Sequence, residues 1–139
     1  MEFVTFELAK KLKEKGFKEE CLSYYTTEYT LYNNVITLTD DKYLCVSDID
    51  YEEFLVSHNS IKYTNGNYVD APTIEQVLEW LRKEKNLYIA IRTWGGTWGY
   101  DVIGLIDGQG LHWVAYHEDI KSYEDAALAG IEYAIDNLI

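Results

Sequence analysis

A two-glycine turn between two alternating strands constrains the fold more than any other feature of this sequence. Residues 87–106 read LYIAIRTWGGTWGYDVIGLI, and apolar and polar side chains alternate on both sides of Gly95 and Gly96. Alternation with a period of two indicates half-buried strands, and a two-residue turn that needs positive φ angles favours glycine. The segment therefore predicts an antiparallel hairpin in which Arg92 faces Gly99.

The chain then continues into a third strand, LHWVAYH, after the turn-like sequence DGQG. If this turn closes the second hairpin tightly, Trp113 covers Gly104 and Ala115 faces Val102, because an indole can fill the gap beside a strand glycine. The three strands then form a meander over residues 87–117. One face is expected to be core, and it carries Leu87, Ile89, Ile91, Trp98, Tyr100, Val102 and Ile106.

Three segments have the apolar spacing of amphipathic helices, namely residues 6–15, 74–85 and 123–137. Thr73 and Gln76 have the spacing of a capping box at the start of the second helix. The third helix contains a mid-helix glycine, Gly130, which costs about 1 kcal/mol against alanine and therefore predicts a close contact at that position.

Residues 21–46 are rich in β-branched and aromatic side chains and predict further strands, and Asn65-Gly66 predicts a hairpin over residues 61–69. No linker or repeat interrupts the chain. The prediction is a single α+β domain over residues 1–139, in which an antiparallel sheet, made of the meander and the N-terminal strands, packs against the three helices.

Charge excludes one class of function and suggests another. The chain has 24 acidic and 12 basic residues and a net charge of -12, which repels polyanionic nucleic acid, so direct nucleic-acid binding is not expected. The same charge suits a protein that mimics DNA. The candidate acidic surface consists of Asp48, Asp50, Glu52, Glu53, Asp125, Glu132 and Asp136.

No segment has a local signature of catalysis or metal binding. Asp50 and Glu53 have the spacing of a helix capping box and lack the glycine of a calcium loop. Cys21 and Cys45 lie in apolar contexts that favour buried, reduced thiols. We expect no metal and no cofactor, and we lean against an enzyme, although a catalytic site assembled from residues distant in sequence stays open.

The opening MEFVTFELAKKLKEKG mixes charged and apolar residues. This pattern predicts neither a signal peptide nor a membrane span, and it favours a cytoplasmic location.

The second face of the meander is the candidate binding surface. It carries Tyr88, Arg92, Trp94, Asp101, Ile103, Leu105, Val114 and Tyr116, which is too apolar to stay wholly in water. Either another layer of the chain covers this face or a partner does. Because Tyr, Trp and Arg dominate interface energetics, the predicted partner-binding residues are Arg92, Trp94, Asp101 and Tyr116.

The segments APTIEQVLEWLRKEKNLYIAI, GYDVIG and SYEDAALAGIEYAIDNLI resemble a family of small, uncharacterised, acidic proteins encoded by phages and mobile elements of gut bacteria. The resemblance covers residues 70–139 and, in pattern, the opening VTFELAKKLKEKGF. It implies a biological setting and no activity.

The sequence leaves three candidate functions. The first is a non-catalytic protein-interaction module, with a protein partner or a second copy of the chain as its ligand. The alternatives are an acidic DNA mimic that inhibits a nucleic-acid-binding protein of the host, and a small-ligand or glycan site in a tyrosine-lined pocket.

Overall fold

A computed structural model describes residues 2–26, 35–39, 42–46, 68–105 and 111–139. The chain divides into two compact units, which we describe separately. The N-terminal unit is Phe3–Pro72, and the C-terminal unit is Met1–Glu2 together with Thr73–Ile139. The single domain expected over residues 1–139 stays a prediction.

The α+β class is confirmed, with antiparallel sheets and three helices in the described part of the chain. The helices are α1 (Phe6–Glu14), α2 (Ile74–Lys85) and α3 (Tyr123–Asn137), within one residue of their predicted bounds. The strands are β1 (Ser23–Thr26), β2 (Val35–Thr39), β3 (Lys42–Val46), β4 (Tyr68–Asp70), β5 (Leu87–Trp94), β6 (Thr97–Leu105) and β7 (Leu111–Ile120). They form two sheets, one in each unit.

The N-terminal unit contains a four-stranded antiparallel sheet in the order β2-β3-β1-β4. Helix α1 begins where the backbone N–H of Leu8 donates to Thr5 Oγ1 at 3.3 Å, and it buries Leu8 and Leu12. The hydroxyl of the buried Tyr25 donates to the carbonyl of Val4 and so ties β1 to the residues before α1. Of the hairpin predicted over residues 61–69, residues 61–67 lie outside the described residues.

The C-terminal unit contains the predicted meander, with the strand order β5-β6-β7. Gly95 and Gly96 have φ angles of 58° and 87°, as a two-residue hairpin turn requires, and both would be strained for other residues. Because this turn fixes the register, Arg92 pairs with Gly99, and the expected register of β5 against β6 is confirmed.

Helices α2 and α3 both contact β5, and α3 also crosses β6. In α2 the capping box is complete, since the N–H of Thr73 donates to Gln76 Oε1 at 2.9 Å and the N–H of Gln76 donates to Thr73 Oγ1 at 3.2 Å. The close contact expected at Gly130 of α3 is also present. A β-carbon added there would stand 2.6 Å from Ile89 Cγ2 and 3.2 Å from the Tyr100 ring.

The expected register of β6 against β7 is wrong at its far end. Trp113 stands opposite Ile103, and Gly104 pairs with His112, although Ala115 does pair with Val102. A bulge between these pairs adds one residue to β7 and shifts the later partners, which alternation in the sequence does not reveal. The space beside Gly104 is bordered instead by the side chains of Leu87 and Val114, 3.3 and 3.4 Å from the position of a β-carbon.

Candidate functional site

Three of the four predicted partner-binding residues come together on one face of the β5-β6-β7 sheet, which we call the outer face. Asp101 stands in the middle strand, paired with Ala90 of β5 on one side and with Tyr116 of β7 on the other. Arg92 lies two residues from Ala90 and therefore shares this face. The opposite face carries Tyr100 and Val102, which are buried, and Tyr100 contacts α3 beside Gly130.

Arg92 links two carboxylates across the outer face. Its Nε lies 3.1 Å from Asp101 Oδ2, and its Nη2 lies 3.7 Å from Glu118 Oε1. The Asp101 side chain is only 9% exposed, whereas that of Arg92 is 34% exposed. Since a buried carboxylate needs a partner, Asp101 holds the inner part of the guanidinium in place and leaves its outer part accessible.

Gly99 makes this arrangement possible. It stands opposite Arg92 in the register and therefore adds no side chain beside Arg92 on the outer face. On its other side, Trp98 pairs with Ile120 and Tyr100 pairs with His117, so that two residues of β7 face Gly99 alone. One of them, Asp119, has a φ of 62°, and a β-carbon on Gly99 would stand 2.5 Å from the carbonyl oxygen of His117.

The early end of the alternating pattern explains why the sequence did not predict Glu118 as part of the site. The pattern ends at residue 117, but β7 continues to Ile120. Glu118 lies two residues after Tyr116, so it shares the outer face and reaches Arg92. The only signal for Glu118 in the sequence was that two acidic residues, Glu118 and Asp119, directly follow the predicted strand.

Two exposed tyrosines share the outer face with the ion pair. Tyr116 is 64% exposed and Tyr88 is 43% exposed. Tyr116 stands beside Asp101 in the register, and Tyr88 pairs with Ile103. The backbone of Trp94 pairs with Thr97, but its side chain lies outside the described residues, so its part in this surface stays a prediction.

The candidate acidic surface is described in part. Asp125, Glu132 and Asp136 are exposed on α3, at positions that share one side of the helix. The remaining candidates, Asp48, Asp50, Glu52 and Glu53, lie outside the described residues.

The two cysteines are buried thiols, as the sequence predicts. Burial raises the pKa of the Cys45 thiol, and a hydrogen bond with Tyr24 opposes this shift only in part. Because the thiolate is the nucleophilic form, this environment disfavours covalent chemistry at Cys45. Within the described ranges, no group of three His, Cys, Asp or Glu residues could hold a metal ion.

Burial also raises the pKa of two tyrosines in the C-terminal unit. Tyr100 is desolvated on the inner side of the sheet, and nearby Tyr133 adds to the shift. Tyr123 is affected by burial and by Glu75, whose Oε1 accepts the Tyr123 hydroxyl at 3.2 Å. Both hydroxyls therefore stay protonated at neutral pH, and Tyr123 acts as a donor that connects α3 to α2.

Comparison with models of protein families, with curated proteins and with solved structures finds no match for this chain. None of the helices in the described residues is both long enough and apolar enough to cross a membrane.

Proposed function

We propose that this chain is a non-catalytic protein-interaction module that binds a protein partner, or a second copy of itself, through the outer face of the β5-β6-β7 sheet. The observation that carries the proposal is the exposure of Tyr116 directly beside the Arg92–Asp101 ion pair. The resemblance of the sequence to phage and mobile-element proteins is the only support for the setting that we propose, a phage or mobile element.

Binding through the outer face costs little conformational entropy. Tyrosine and arginine contribute strongly at interfaces, and a side chain that is already ordered loses less conformational entropy when a partner binds. Asp101 and Glu118 lie 3.1 Å and 3.7 Å from two nitrogens of the Arg92 guanidinium, and these ion pairs restrict its orientation before binding. Tyr88 and Tyr116 then supply apolar area with a hydroxyl at its edge, which suits a surface that is wet when free and buried when bound.

The test compares Tyr116→Ala with Leu22→Ala in the full chain. Leu22 is also an exposed apolar residue, 53% exposed, but it lies in the N-terminal unit, so it controls for a general loss of surface hydrophobicity. Sedimentation equilibrium measures self-association, and crosslinking in host lysate measures binding of another protein. We expect Tyr116→Ala to weaken the association at least about tenfold, which corresponds to about 1.4 kcal/mol, and Leu22→Ala to leave it unchanged. Equal effects of the two variants would contradict the proposal.

A DNA mimic is the second candidate, and the exposed acidic row of Asp125, Glu132 and Asp136 favours it. Carboxylates in a row would occupy the phosphate-binding surface of a basic host protein, so binding should weaken steeply with salt. Association through the outer face should respond much less to salt. Measuring the captured complex at low and high ionic strength therefore separates the two candidates.

A further inference from the structure

We infer that the open edge of strand β5 is a second binding site, which takes an extended basic segment of another protein as an additional antiparallel strand. The site shares only Tyr88 with the outer face, and its test does not depend on the function proposed above. Its two walls are β5 itself and one side of helix α2, both of which belong to the C-terminal unit.

The backbone of β5 has hydrogen-bonding groups along one side that β6 does not use. In the described part of the chain, β5 pairs only with β6, so its other side is a sheet edge. The two-residue turn makes Trp94 and Thr97 the hydrogen-bonded pair nearest the turn, and hydrogen-bonded pairs then alternate along the strand. Ile89 and Ile91 are in the pairs that are not hydrogen-bonded to β6, so their N–H and C=O groups point away from β6. Such a row of backbone groups is a template for strand addition.

A groove between β5 and α2 provides space beside this edge. The groove has a volume of about 430 Å³ and is lined by Glu75, Leu78, Glu79, Arg82, Tyr88 and Ile89. Tyr88 and Ile89 are consecutive, so their side chains leave the strand on opposite faces. A groove that touches both residues must run along the edge between the two faces, where an added strand would lie.

The groove is acidic mainly at Glu75. Glu75 and Glu79 are one turn apart on α2, both exposed, with Leu78 beside them. Glu79 is already ion-paired with Lys83 at 2.7 Å and lies 3.9 Å from Arg82, the single base in the lining. A lysine that faces Glu75 is therefore favoured over an acidic residue in a chain of net charge -12, and Leu78 and Ile89 offer apolar contact to its stem.

The geometry also determines which backbone groups of the segment bind. Residues that pair directly across two strands have their side chains on the same face of the sheet. A residue that exchanges hydrogen bonds with Ile89 therefore directs its side chain to the Ile89 side, towards α2. If the lysines face Glu75, the lysine N–H groups are the ones that donate to β5.

The probe is a labelled hexapeptide of alternating lysine and valine, titrated into the full chain by fluorescence anisotropy at physiological ionic strength. We expect N-methylation of its lysines to weaken binding about tenfold or more, because it removes the donors to β5, and N-methylation of its valines to have little effect. Hydrogen exchange should slow at the amides of Ile89 and Ile91 when the unmodified peptide is bound.

Two charge reversals on α2 test the groove. The double variant Glu75→Lys/Glu79→Lys should weaken peptide binding about fivefold or more. The matched control is Glu84→Lys, because Glu84 is exposed on the opposite side of the same helix. Glu84→Lys and the outer-face variant Tyr116→Ala should both bind the peptide as the wild type does.

Three results would overturn the inference. The lysine–valine peptide does not bind, the two methylated peptides bind equally well, or Glu84→Lys weakens binding as much as the double variant does. The second and third results would indicate general attraction of a basic peptide to an acidic protein. Because Tyr116→Ala is measured in both experiments, loss of the outer-face function and loss of the β5-edge site are distinguishable.

Discussion

Replacing Gly130 by alanine places two opposing effects at one position of α3. Alanine is the better helix former by about 1 kcal/mol, and burying its methyl group adds about 0.8 kcal/mol. Against this, the new β-carbon would stand 2.6 Å from Ile89 Cγ2 and 3.2 Å from the Tyr100 ring. The Cγ2 methyl group belongs to the β-branched side chain of Ile89, which is stiff at χ1. Tyr100 is only 7% exposed, so neither neighbour moves easily.

The overpacking cost at such a site is about 1–3 kcal/mol, and two stiff neighbours place it near the upper end of this range. We therefore expect Gly130→Ala to lower the free energy of unfolding by about 1 kcal/mol, in spite of its better helix propensity. Urea denaturation followed by circular dichroism measures this difference.

A double-mutant cycle separates the clash from a backbone effect. In an Ile89→Ala background the offending methyl group is absent, so Gly130→Ala should raise the stability by about 1 kcal/mol. If Gly130→Ala stabilises the wild-type chain, or if the two substitutions are additive, the contact with Ile89 does not explain the glycine.

Two further predictions concern the same unit. Gly99→Ala should destabilise the fold by about 2 kcal/mol or more, because the backbone oxygen of His117 is 2.5 Å from the new β-carbon and cannot rotate away. Gly104→Ala should cost under about 1 kcal/mol, because its neighbours are side-chain methyl groups. Urea denaturation of both variants measures the difference, and equal costs would contradict the bulge argument. The hydrogen bond and charge of Lys83, 2.7 Å away, lower the pKa of Glu79. This pair therefore stabilises the fold above the unfolded-state pKa, and its contribution is lost as the pH falls through the folded-state pKa. In Lys83→Met the Glu79 pKa should rise towards its usual value in a carboxyl NMR titration, and an unchanged pKa would show that Lys83 is not the cause.

The sequence by itself determined the features that depend on neighbouring residues. The capping box at Thr73 and the turn at Gly95 act over at most four residues, and both follow from the hydrogen-bonding groups and φ angles that those residue types allow. Once the two-residue turn is known, every pair between β5 and β6 is determined, and Arg92 and Asp101 necessarily share a face. For the same reason, the helices could be predicted within one residue of their ends.

Only the tertiary structure decided the features that depend on an inserted residue or on contacts distant in the chain. Each of the two bulges in β7 adds one residue to that strand; one moves Trp113 opposite Ile103, and the other moves Ile120 opposite Trp98. Alternation of apolar and polar residues has a period of two, so it cannot show where an extra residue enters or how far the strand then continues. The division of the strands into two sheets has a similar origin, because hydrogen bonds between distant segments select the partners, and the composition of a strand does not specify them.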